Sequence, residues 1–446
     1  MSRIIDVAQV IDAHPIGAFQ IRAFMLCAAV LFVDGFDVQG ITYVAPAISQ
    51  TWNLPRGALG PTFSAGLFGV MLGALLFAPL ADRVGRRGVI IYSCIAFGIG
   101  TLMTVWVDSL ASLLVVRFFT GLGLGSALPN AIGLASEYAP QKRRGLVVMF
   151  VGSGISLGSI ASGVAAAQLI STLGWRAVFV VGGVLPLLLA VVLARWLPES
   201  VRFAALTERG QADARRLLRQ IRPQMAVGDD VRVESDGGEH GTVRVADLFA
   251  GGRRHATPLL WIAFFVSLLN VYLVINWLPT SLNASGFTQQ QAALIASMYH
   301  LGGIAGTYAL GLLMDRIGPH VLVMGAFLLA SVGFYVFAST PTLSEWTATA
   351  MLMTTGFGVV GGQVALTALA SMIYPVAMRA TGLGWGLGIG RVGSIVGPTI
   401  GGLMVATMAD PRAVYLVCIV PALVGLACVA VLKWSAAPRR RPAEAI

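Results

Sequence analysis

Charged side chains are scarce in this chain of 446 residues: 11% are Asp, Glu, Lys or Arg, whereas 57% are apolar. Histidine and cysteine are also rare, with five and four copies, and Cys27, Cys94, Cys418 and Cys428 include no CxxC pair. We therefore interpret the cysteines as packing residues, not as disulfides or metal ligands. The sequence contains no metal-ligand cluster and no catalytic constellation, so it predicts no cofactor and gives little support to a membrane enzyme or a sensor.

A cleavable signal peptide is also lacking, because residues 1–21 are mixed in polarity and the first apolar run already has full spanning length. The chain has instead many long apolar runs, each near the ~20 residues that cross a bilayer as a helix. They predict an all-α membrane protein whose twelve transmembrane helices form two pseudo-symmetric six-helix bundles. The predicted spans are 22–46, 58–80, 89–107, 111–136, 146–170, 175–197, 258–279, 290–313, 320–338, 346–372, 381–407 and 412–434.

The distribution of Lys and Arg predicts the orientation, because cytoplasmic loops carry an excess of both. With the N-terminus inside, nearly all basic side chains fall on the cytoplasmic face, and twelve spans return the C-terminus to the same side. The loops predicted to lie outside contain Arg56, Arg176 and Arg412. The formal net charge of +10 is then a topology signal, and we expect no nucleic-acid partner.

A weak internal repeat divides the chain into two halves related in parallel, as in transporters that rock one half against the other. The loop 81–87 recurs at 314–320, and Pro140 with Arg144 recurs 235 residues later as Pro375 with Arg379. Residues 206–221 are predicted to form a surface helix on the inner leaflet, followed by a flexible linker. The predicted segments are a cytoplasmic N-terminal segment 1–21, an N-terminal bundle 22–197, a cytoplasmic linker 198–256, a C-terminal bundle 257–434 and a cytoplasmic tail 435–446.

Two carboxylates, Asp34 and Asp37, lie inside the first predicted span. A carboxylate at mid-membrane costs about 2.5–3.5 kcal/mol, and residues three apart share one helical face, so this pair needs partners or a wet cavity. Arg117 of the fourth span lies at nearly the same depth, which predicts an ion pair with Asp34 or Asp37. We interpret the three residues as a proton-coupling site. The alternative is a buried pair that only locks neighbouring helices.

Several motifs together make the chain resemble a known family. Gly73 with the loop Asp82-Arg83-x-Gly85-Arg86-Arg87, Arg117-x-x-x-Gly121-x-Gly123 and Pro198-Glu199-Ser200 are similar to motifs of the major facilitator superfamily. Asp34-Gly35-Phe36-Asp37 and Asn276-Trp277-Leu278-Pro279-Thr280 further resemble the aromatic acid:proton symporter family, typified by 4-hydroxybenzoate and protocatechuate transporters. The resemblance covers nearly the whole chain. It implies alternating access and proton-coupled import of a benzoate-type or hydroxybenzoate-type anion across a bacterial inner membrane, and we expect a monomer.

The loop after the second span is predicted to act as a gate. Asp82 lies at a helix end beside three arginines, and charge-assisted pairs with a facing helix terminus would make it a conformational latch. The alternative is a loop that only anchors to anionic headgroups and fixes the topology. The gating residues assigned in the two halves are Asp82, Arg83, Arg86, Arg87, Asp315, Arg316 and Arg379.

The resemblance adds Glu137, at the inner end of the fourth span, to the proton-coupling group. A solvated helix-end acid is the alternative interpretation of this residue. The second copy of the gating loop departs from the family pattern, because Pro319 and His320 stand where the first copy has Arg86 and Arg87.

Arg391 lies near the midplane of the eleventh span, and its planar fork is suited to binding a substrate carboxylate in a bidentate manner. It would face the Asp34, Asp37 and Arg117 cluster across a central cavity. His300 lies at similar depth, with a neutral core imidazole as the alternative. Aromatic rings predicted to stack on the substrate, and amides predicted to bind ring hydroxyls, are also candidates, although aromatic residues inside spans more often serve packing. They are Phe36, Tyr272, Trp277, Tyr299 and Trp385, with Asn276 and Gln363.

Three apparent motifs do not predict the function that they usually mark. Gly154-x-Ser156-x-Gly158 and Gly388-x-Gly390-x-x-Gly393 match a nucleophile elbow and a dinucleotide loop, but both lie inside spans and are interpreted as close-packing glycines. Gly393-x-x-x-Gly397-Pro398 matches an antiporter signature in the eleventh span, whereas the fifth span, where that signature belongs, has no Gly-Pro. This favours symport or uniport over antiport. Symport of an aromatic carboxylate is the leading hypothesis, and an efflux antiporter of aromatic or other organic compounds is the alternative.

Overall fold

Ten of the twelve predicted spans correspond to one long helix each, and the fourth and tenth correspond to two consecutive helices. The computed structural model describes residues 4–205, 210–222, 232–234, 244–250, 253–340, 342–408, 410 and 412–436. The elements of the first half are β1 Ile4–Asp6, α1 Val7–Asp12, α2 Ala18–Thr51, α3 Gly60–Phe77, α4 Ala81–Val84, α5 Arg86–Met103, α6 Leu110–Leu124, α7 Ala127–Tyr138, α8 Arg144–Leu173, α9 Arg176–Trp196, α10 Val201–Ala205, α11 Gln211–Ile221 and β2 Arg232–Glu234. Short 3₁₀ turns occupy Thr104–Trp106 and Gln141–Arg143.

The second half begins with a 3₁₀ turn at Val245–Phe249 and continues with long helices. They are α12 Ala256–Ala284, α13 Gln289–Ile317, α14 Pro319–Ser339, α15 Glu345–Gly356, α16 Gly362–Ile373, α17 Val376–Thr407 and α18 Ala413–Ala436. A π-helical turn, Phe357–Gly361, joins α15 to α16, so the two form one continuous span. The fourth span is likewise made of α6 and α7.

Ten helical segments of the described chain are long and apolar enough to cross a membrane. Two further helices, α2 with 34 residues and α13 with 29, match the first and eighth predicted spans and are long enough as well. These ten segments and two helices together are consistent with the twelve predicted transmembrane helices. Gly85 and Gly318, which precede α5 and α14, have φ of 90° and 94°, a left-handed conformation that glycine adopts at low cost. The repeated loop therefore has the same turn in both halves.

The chain forms two compact units. The first contains residues 1–239 together with 282–297, and the second contains 240–281 and 298–446. In the first unit Gln289 Nε2 donates a hydrogen bond of 2.8 Å to Gln50 Oε1, so the start of α13 is tied to the end of α2.

The segments before and after the first bundle are joined to it. Strand β1 pairs in parallel with β2, with Ile4 opposite Arg232. Ala214 and Leu218 of α11 are 0% exposed and belong to the same apolar core as the ends of α1 and α2. The expectation that this helix lies with its apolar face on lipid is therefore wrong, because protein already covers that face. The predicted helix start at Leu206, residues 223–231 and 235–243 of the predicted flexible linker, and residues 437–446 of the tail lie outside the described residues.

Candidate functional site

Asp37 of α2 and Arg117 of α6 form a buried ion pair. Arg117 Nη2 lies 2.8 Å from Asp37 Oδ2, and the two side chains are 5% and 0% exposed. Thr101 Oγ1 donates a second hydrogen bond to Asp37 Oδ1, and the guanidinium carbon of Arg117 lies 5.8 Å from the ring centre of Phe179. The carboxylate thus has charged and neutral donors, which is the condition for keeping a charge in an apolar interior.

Asp34 lies one helical turn before Asp37 and is 8% exposed. It has polar interactions of its own, but Arg117 is paired with Asp37. Phe36 between them is 4% exposed and faces Gly182 of α9, where an added Cβ would lie 3.3 Å from its ring. Of the two acids predicted to pair with Arg117, Asp37 is the one that does so.

Glycines set the close helix contacts that hold this ion pair. A Cβ on Gly35 of α2 would collide with the backbone of Ile155, and one on Gly158 of α8 would collide with the backbone of Phe32. Gly121 of α6 approaches the backbone of Gly66 in α3 in the same way. The glycines that resemble a nucleophile elbow therefore serve helix packing, as small residues do between membrane helices.

A second charged group lies where α5, α7 and α10 meet. Arg86 Nη2 is 3.1 Å from Glu137 Oε1, with side chains 22% and 16% exposed, and Ser200 Oγ donates to Glu137 Oε2 at 2.5 Å. Glu199 Oε1 accepts from the backbone N–H groups of Arg87 and Ser200, at 3.1 and 2.8 Å. We call Arg86, Glu137, Glu199 and Ser200 the Arg86–Glu137 cluster. It places Glu137 beside the predicted gating loop and away from the Asp37 ion pair.

Two cavities of about 270 and 260 Å³ border this cluster and share Arg86, Glu137 and Arg202 in their walls. Asp82 lines the second cavity. In the same loop, Arg83 is exposed and Arg87 is partly buried. Arg87 Nη2 donates a hydrogen bond to the carbonyl of Ala194 in α9. In the second unit the predicted gating residues Asp315, Arg316 and Arg379 are all exposed.

Arg391 of α17 contacts α12 in the second unit. Its Nη1 donates a hydrogen bond of 3.2 Å to the hydroxyl oxygen of Tyr272, and both side chains are partly buried. No carboxylate lies within ion-pair distance of Arg391 among the described residues of that unit. Arg391 therefore lacks an ion-pair partner among those residues, whereas Asp37 neutralises the charge of Arg117.

The remaining predicted substrate ligands lie at several places in the second unit. Trp277 is 2% exposed, and its Nε1 donates to the carbonyl of Pro398 at 2.9 Å. Asn276 Nδ2 donates to the carbonyl of Tyr272 at 2.6 Å. The structure thus places both side chains near the α12–α17 contact, and their role in binding stays a prediction.

Tyr299 and His300 of α13 are 0% and 5% exposed, with ring centres 5.8 Å apart. The hydroxyl of Tyr299 and Oε1 of Gln363 are buried without a hydrogen-bond partner among the described residues. Trp385 is 46% exposed and stacks on Trp261 at 5.9 Å. The structure brings none of these side chains into contact with Arg391 through a hydrogen bond.

Sequence reasoning missed several residues of these sites. The sequence alone assigns no role to Thr101, Glu199 or Ser200, and at Tyr272 it predicts only a stacking ring. Pro198-Glu199-Ser200 is recognisable as a motif, and that signal places Glu199 and Ser200 near the loop. Nothing in the sequence marks Thr101, because a threonine inside an apolar span has many possible neighbours.

The chain matches the Major Facilitator Superfamily family model over residues 27–237 and 260–445. It is 39% identical over 420 residues to the 4-hydroxybenzoate transporter PcaK of Pseudomonas putida, covering 94% of this chain and 93% of that protein. The gallate transporter of Pseudomonas putida is 36% identical over 402 residues, covering 90% and 89%. In fold, the chain is similar to the xylose transporter XylE from E. coli, with a TM-score of 0.71, 16% identity and coverage of 95% and 98%. The chain therefore belongs to the major facilitator superfamily and is a multi-pass membrane transporter.

Proposed function

We propose that the chain imports a small aromatic carboxylate, of the benzoate or hydroxybenzoate class, by symport with protons. Two relatives aligned over nine-tenths of the chain or more are named for 4-hydroxybenzoate and gallate. Both compounds are benzoates with hydroxyl groups on the ring. The proposal assigns the same chemistry, an anionic carboxylate on an aromatic ring, to the substrate of this chain.

The observation that carries the proposal is that no carboxylate among the described residues of the second unit neutralises Arg391. Its guanidinium is partly buried, and its side-chain partner is the neutral hydroxyl of Tyr272. A charge removed from water is costly unless it is paired, so an anionic ligand would stabilise this site. We assign the substrate carboxylate to Arg391. A ring hydroxyl is assigned to Asn276 or to Oε1 of Gln363, which has no hydrogen-bond partner in the described part of the chain. Within the second unit, the ring would lie among Trp277, Tyr299 and Trp385, with His300 nearby.

Proton coupling is assigned to Asp37, with Arg117 as its partner and Asp34 as its neighbour. A buried carboxylate that is paired with a guanidinium can bind a proton when that partner moves away. The 2.8 Å contact between Arg117 and Asp37 supports this role. Glu137, which pairs with Arg86, fits the gate better than the proton pathway.

The proposal also includes location and orientation. The excess of Lys and Arg in alternate loops favours an orientation with both termini in the cytoplasm. The relatives from Pseudomonas putida favour a bacterial inner membrane. In that orientation the Arg86–Glu137 cluster lies on the cytoplasmic side, where the gating residues Asp82, Arg83 and Arg87 would open and close the path. We expect the monomer to be the transporting form.

Transport by the purified protein in liposomes tests the proposal. Radiolabelled 4-hydroxybenzoate should accumulate inside when the external pH is lower than the internal pH, and a protonophore should abolish the accumulation. Neutral 4-hydroxybenzamide should not be accumulated. Loss of preloaded substrate driven by the same gradient would instead show an efflux antiporter, and absence of any 4-hydroxybenzoate movement would refute the assigned substrate class.

A further inference from the structure

The hydrogen bond between Tyr272 and Arg391 leaves one donor unused. Arg391 Nη1 donates to the phenol oxygen at 3.2 Å, so the oxygen acts as acceptor and its own proton remains available. No described residue of the second unit accepts that proton in a hydrogen bond. Within the described part of the second unit, the O–H of Tyr272 and the remaining N–H groups of Arg391 therefore lie side by side as unused donors.

The repeat gives this pair a counterpart in the first unit. Tyr272 follows Asp37 by 235 residues, the same spacing that relates Pro140 to Pro375. Both positions hold a side chain that contacts a buried or partly buried arginine, Arg117 in one unit and Arg391 in the other. In the first unit the partner is a carboxylate, which neutralises the arginine. In the second it is a phenol, which orients the arginine and leaves its positive charge in place.

Close packing of α12 against α17 fixes the position of the two side chains. A Cβ on Gly393 would collide with the carbonyl of Phe265, and one on Gly397 would lie 2.8 Å from the carbonyl of Leu269. Arg391 and Tyr272 flank this glycine contact, one on each helix. Because the backbones are this close, the guanidinium reaches the phenol of the neighbouring helix directly.

We propose that Tyr272 is a positioning and specificity-determining residue for the anionic group of the substrate. Its oxygen accepts from Arg391 and holds the guanidinium in one orientation, and its O–H donates to the same carboxylate that Arg391 binds. The inference rests on the proposed function, because it assumes that Arg391 binds the substrate carboxylate. It assigns to Tyr272 a role through its hydroxyl, in contrast to ring stacking.

The two roles are separated by a pair of variants. Tyr272→Phe removes the hydroxyl and keeps the ring, whereas Tyr272→Leu removes both. Tyr335→Phe is the matched control, because Tyr335 is 59% exposed on α14. Affinity for 4-hydroxybenzoate and for neutral 4-hydroxybenzamide is measured by calorimetry on purified protein that elutes as a single species in size-exclusion chromatography.

Tyr272→Phe should weaken 4-hydroxybenzoate binding by about tenfold, equivalent to ~1.4 kcal/mol, and change 4-hydroxybenzamide binding much less. Tyr272→Leu should lose the same preference for the anion, and Tyr335→Phe should behave as wild type. In the background of Arg391→Lys, Tyr272→Phe should weaken 4-hydroxybenzoate binding less, because the planar guanidinium that the phenol orients has been removed.

If Tyr272→Phe binds 4-hydroxybenzoate with wild-type affinity and only Tyr272→Leu binds it more weakly, then Tyr272 acts through packing of its ring. That result would overturn the inference. Equal losses for the acid and the amide would overturn it as well. Failure of the wild-type protein to bind any benzoate would refute the proposed function instead, so the two failures are distinguishable. Each variant is scored by the ratio of its affinities for 4-hydroxybenzoate and 4-hydroxybenzamide. The test therefore needs only one of Tyr272→Phe and Tyr272→Leu to fold.

Discussion

Arg117 and Asp37 are joined by a 2.8 Å contact between Nη2 and Oδ2, with side chains that are 5% and 0% exposed. Removing one partner of such a pair leaves an unpaired buried charge and typically costs about 3–5 kcal/mol, whereas replacing both can be neutral. The pair is thus both a structural contact and a candidate proton site, and the two roles make different predictions for a neutral replacement.

Asp37→Asn should abolish accumulation of 4-hydroxybenzoate driven by a pH gradient, because an amide cannot titrate. Exchange between equal internal and external pools should persist. The double variant Asp37→Asn with Arg117→Gln should regain thermal stability and still fail to accumulate substrate. Both properties are measured in liposomes and by thermal unfolding in detergent. Accumulation restored in the double variant would indicate that the pair only locks neighbouring helices.

Asp34→Asn is the companion variant. Asp34 lies on the same face of α2 but outside the ion pair with Arg117, so its replacement should reduce accumulation less than that of Asp37. A normal gradient-driven accumulation in Asp37→Asn together with its loss in Asp34→Asn would transfer the proton-coupling role to Asp34.

Glu137→Gln should affect turnover more than stability or affinity. Glutamine keeps the size of the side chain and an oxygen that accepts from Ser200, so most of the packing around position 137 is retained. Asp82 lines a cavity that borders the Arg86–Glu137 cluster. If the cluster and Asp82 control a gate, Glu137→Gln and Asp82→Asn should each lower the transport rate severalfold, while the dissociation constant changes by less than about twofold. Binding is measured in detergent and the rate in liposomes. A large loss of affinity at an unaltered rate would point to a binding role.

Arg391→Ala should weaken binding of benzoate-type anions far more than binding of their neutral amides. Removing a buried partner of a charged ligand typically costs about 2–5 kcal/mol. The comparison of 4-hydroxybenzoate with 4-hydroxybenzamide by calorimetry checks this expectation. Equal losses for the two compounds would mean that Arg391 does not contact the carboxylate.

The sequence predicts the helices and the Asp37–Arg117 pair because both follow from one-dimensional regularities. Apolar runs give the spans, and counting residues from the helix ends gives Asp37 and Arg117 the same depth at 1.5 Å per residue. The choice of Asp37 over Asp34 is not predictable in this way. It depends on the rotation of α2, which is set by contacts of Gly35 and Gly158 with particular backbone atoms of neighbouring helices.

The side-chain partners between distant segments could not be predicted either. Ser200 and Glu137 are 63 residues apart, and Tyr272 and Arg391 are 119 apart.

The burial of α11 could not be predicted for a different reason. An apolar helix face has the same sequence pattern whether lipid or protein covers it. Ala214 and Leu218 are buried by protein, and their spacing alone does not distinguish the two cases.

Leu218→Ala therefore tests what covers α11. Leu218 is 0% exposed, and truncating a buried leucine costs about 2–5 kcal/mol. Thermal unfolding in detergent should show a lower midpoint for this variant and an unchanged one for Gln220→Ala, since Gln220 is exposed on the same helix. A helix covered by lipid would give no difference in detergent and a weaker association with liposomes.

The glycines of α17 give a prediction with a control on the same helix. A Cβ on Gly393 would meet the carbonyl of Phe265, whereas nothing lies within 4 Å of a Cβ on Gly388. Gly393→Ala should separate α12 from α17, destabilise the protein by about 1–3 kcal/mol and weaken binding of 4-hydroxybenzoate, because Arg391 and Tyr272 move apart. Gly388→Ala should be neutral or slightly stabilising, since alanine favours a helix over glycine by ~1 kcal/mol. Thermal unfolding and calorimetry of the two variants check both expectations, and equal behaviour of the pair would contradict the close-packing role of Gly393.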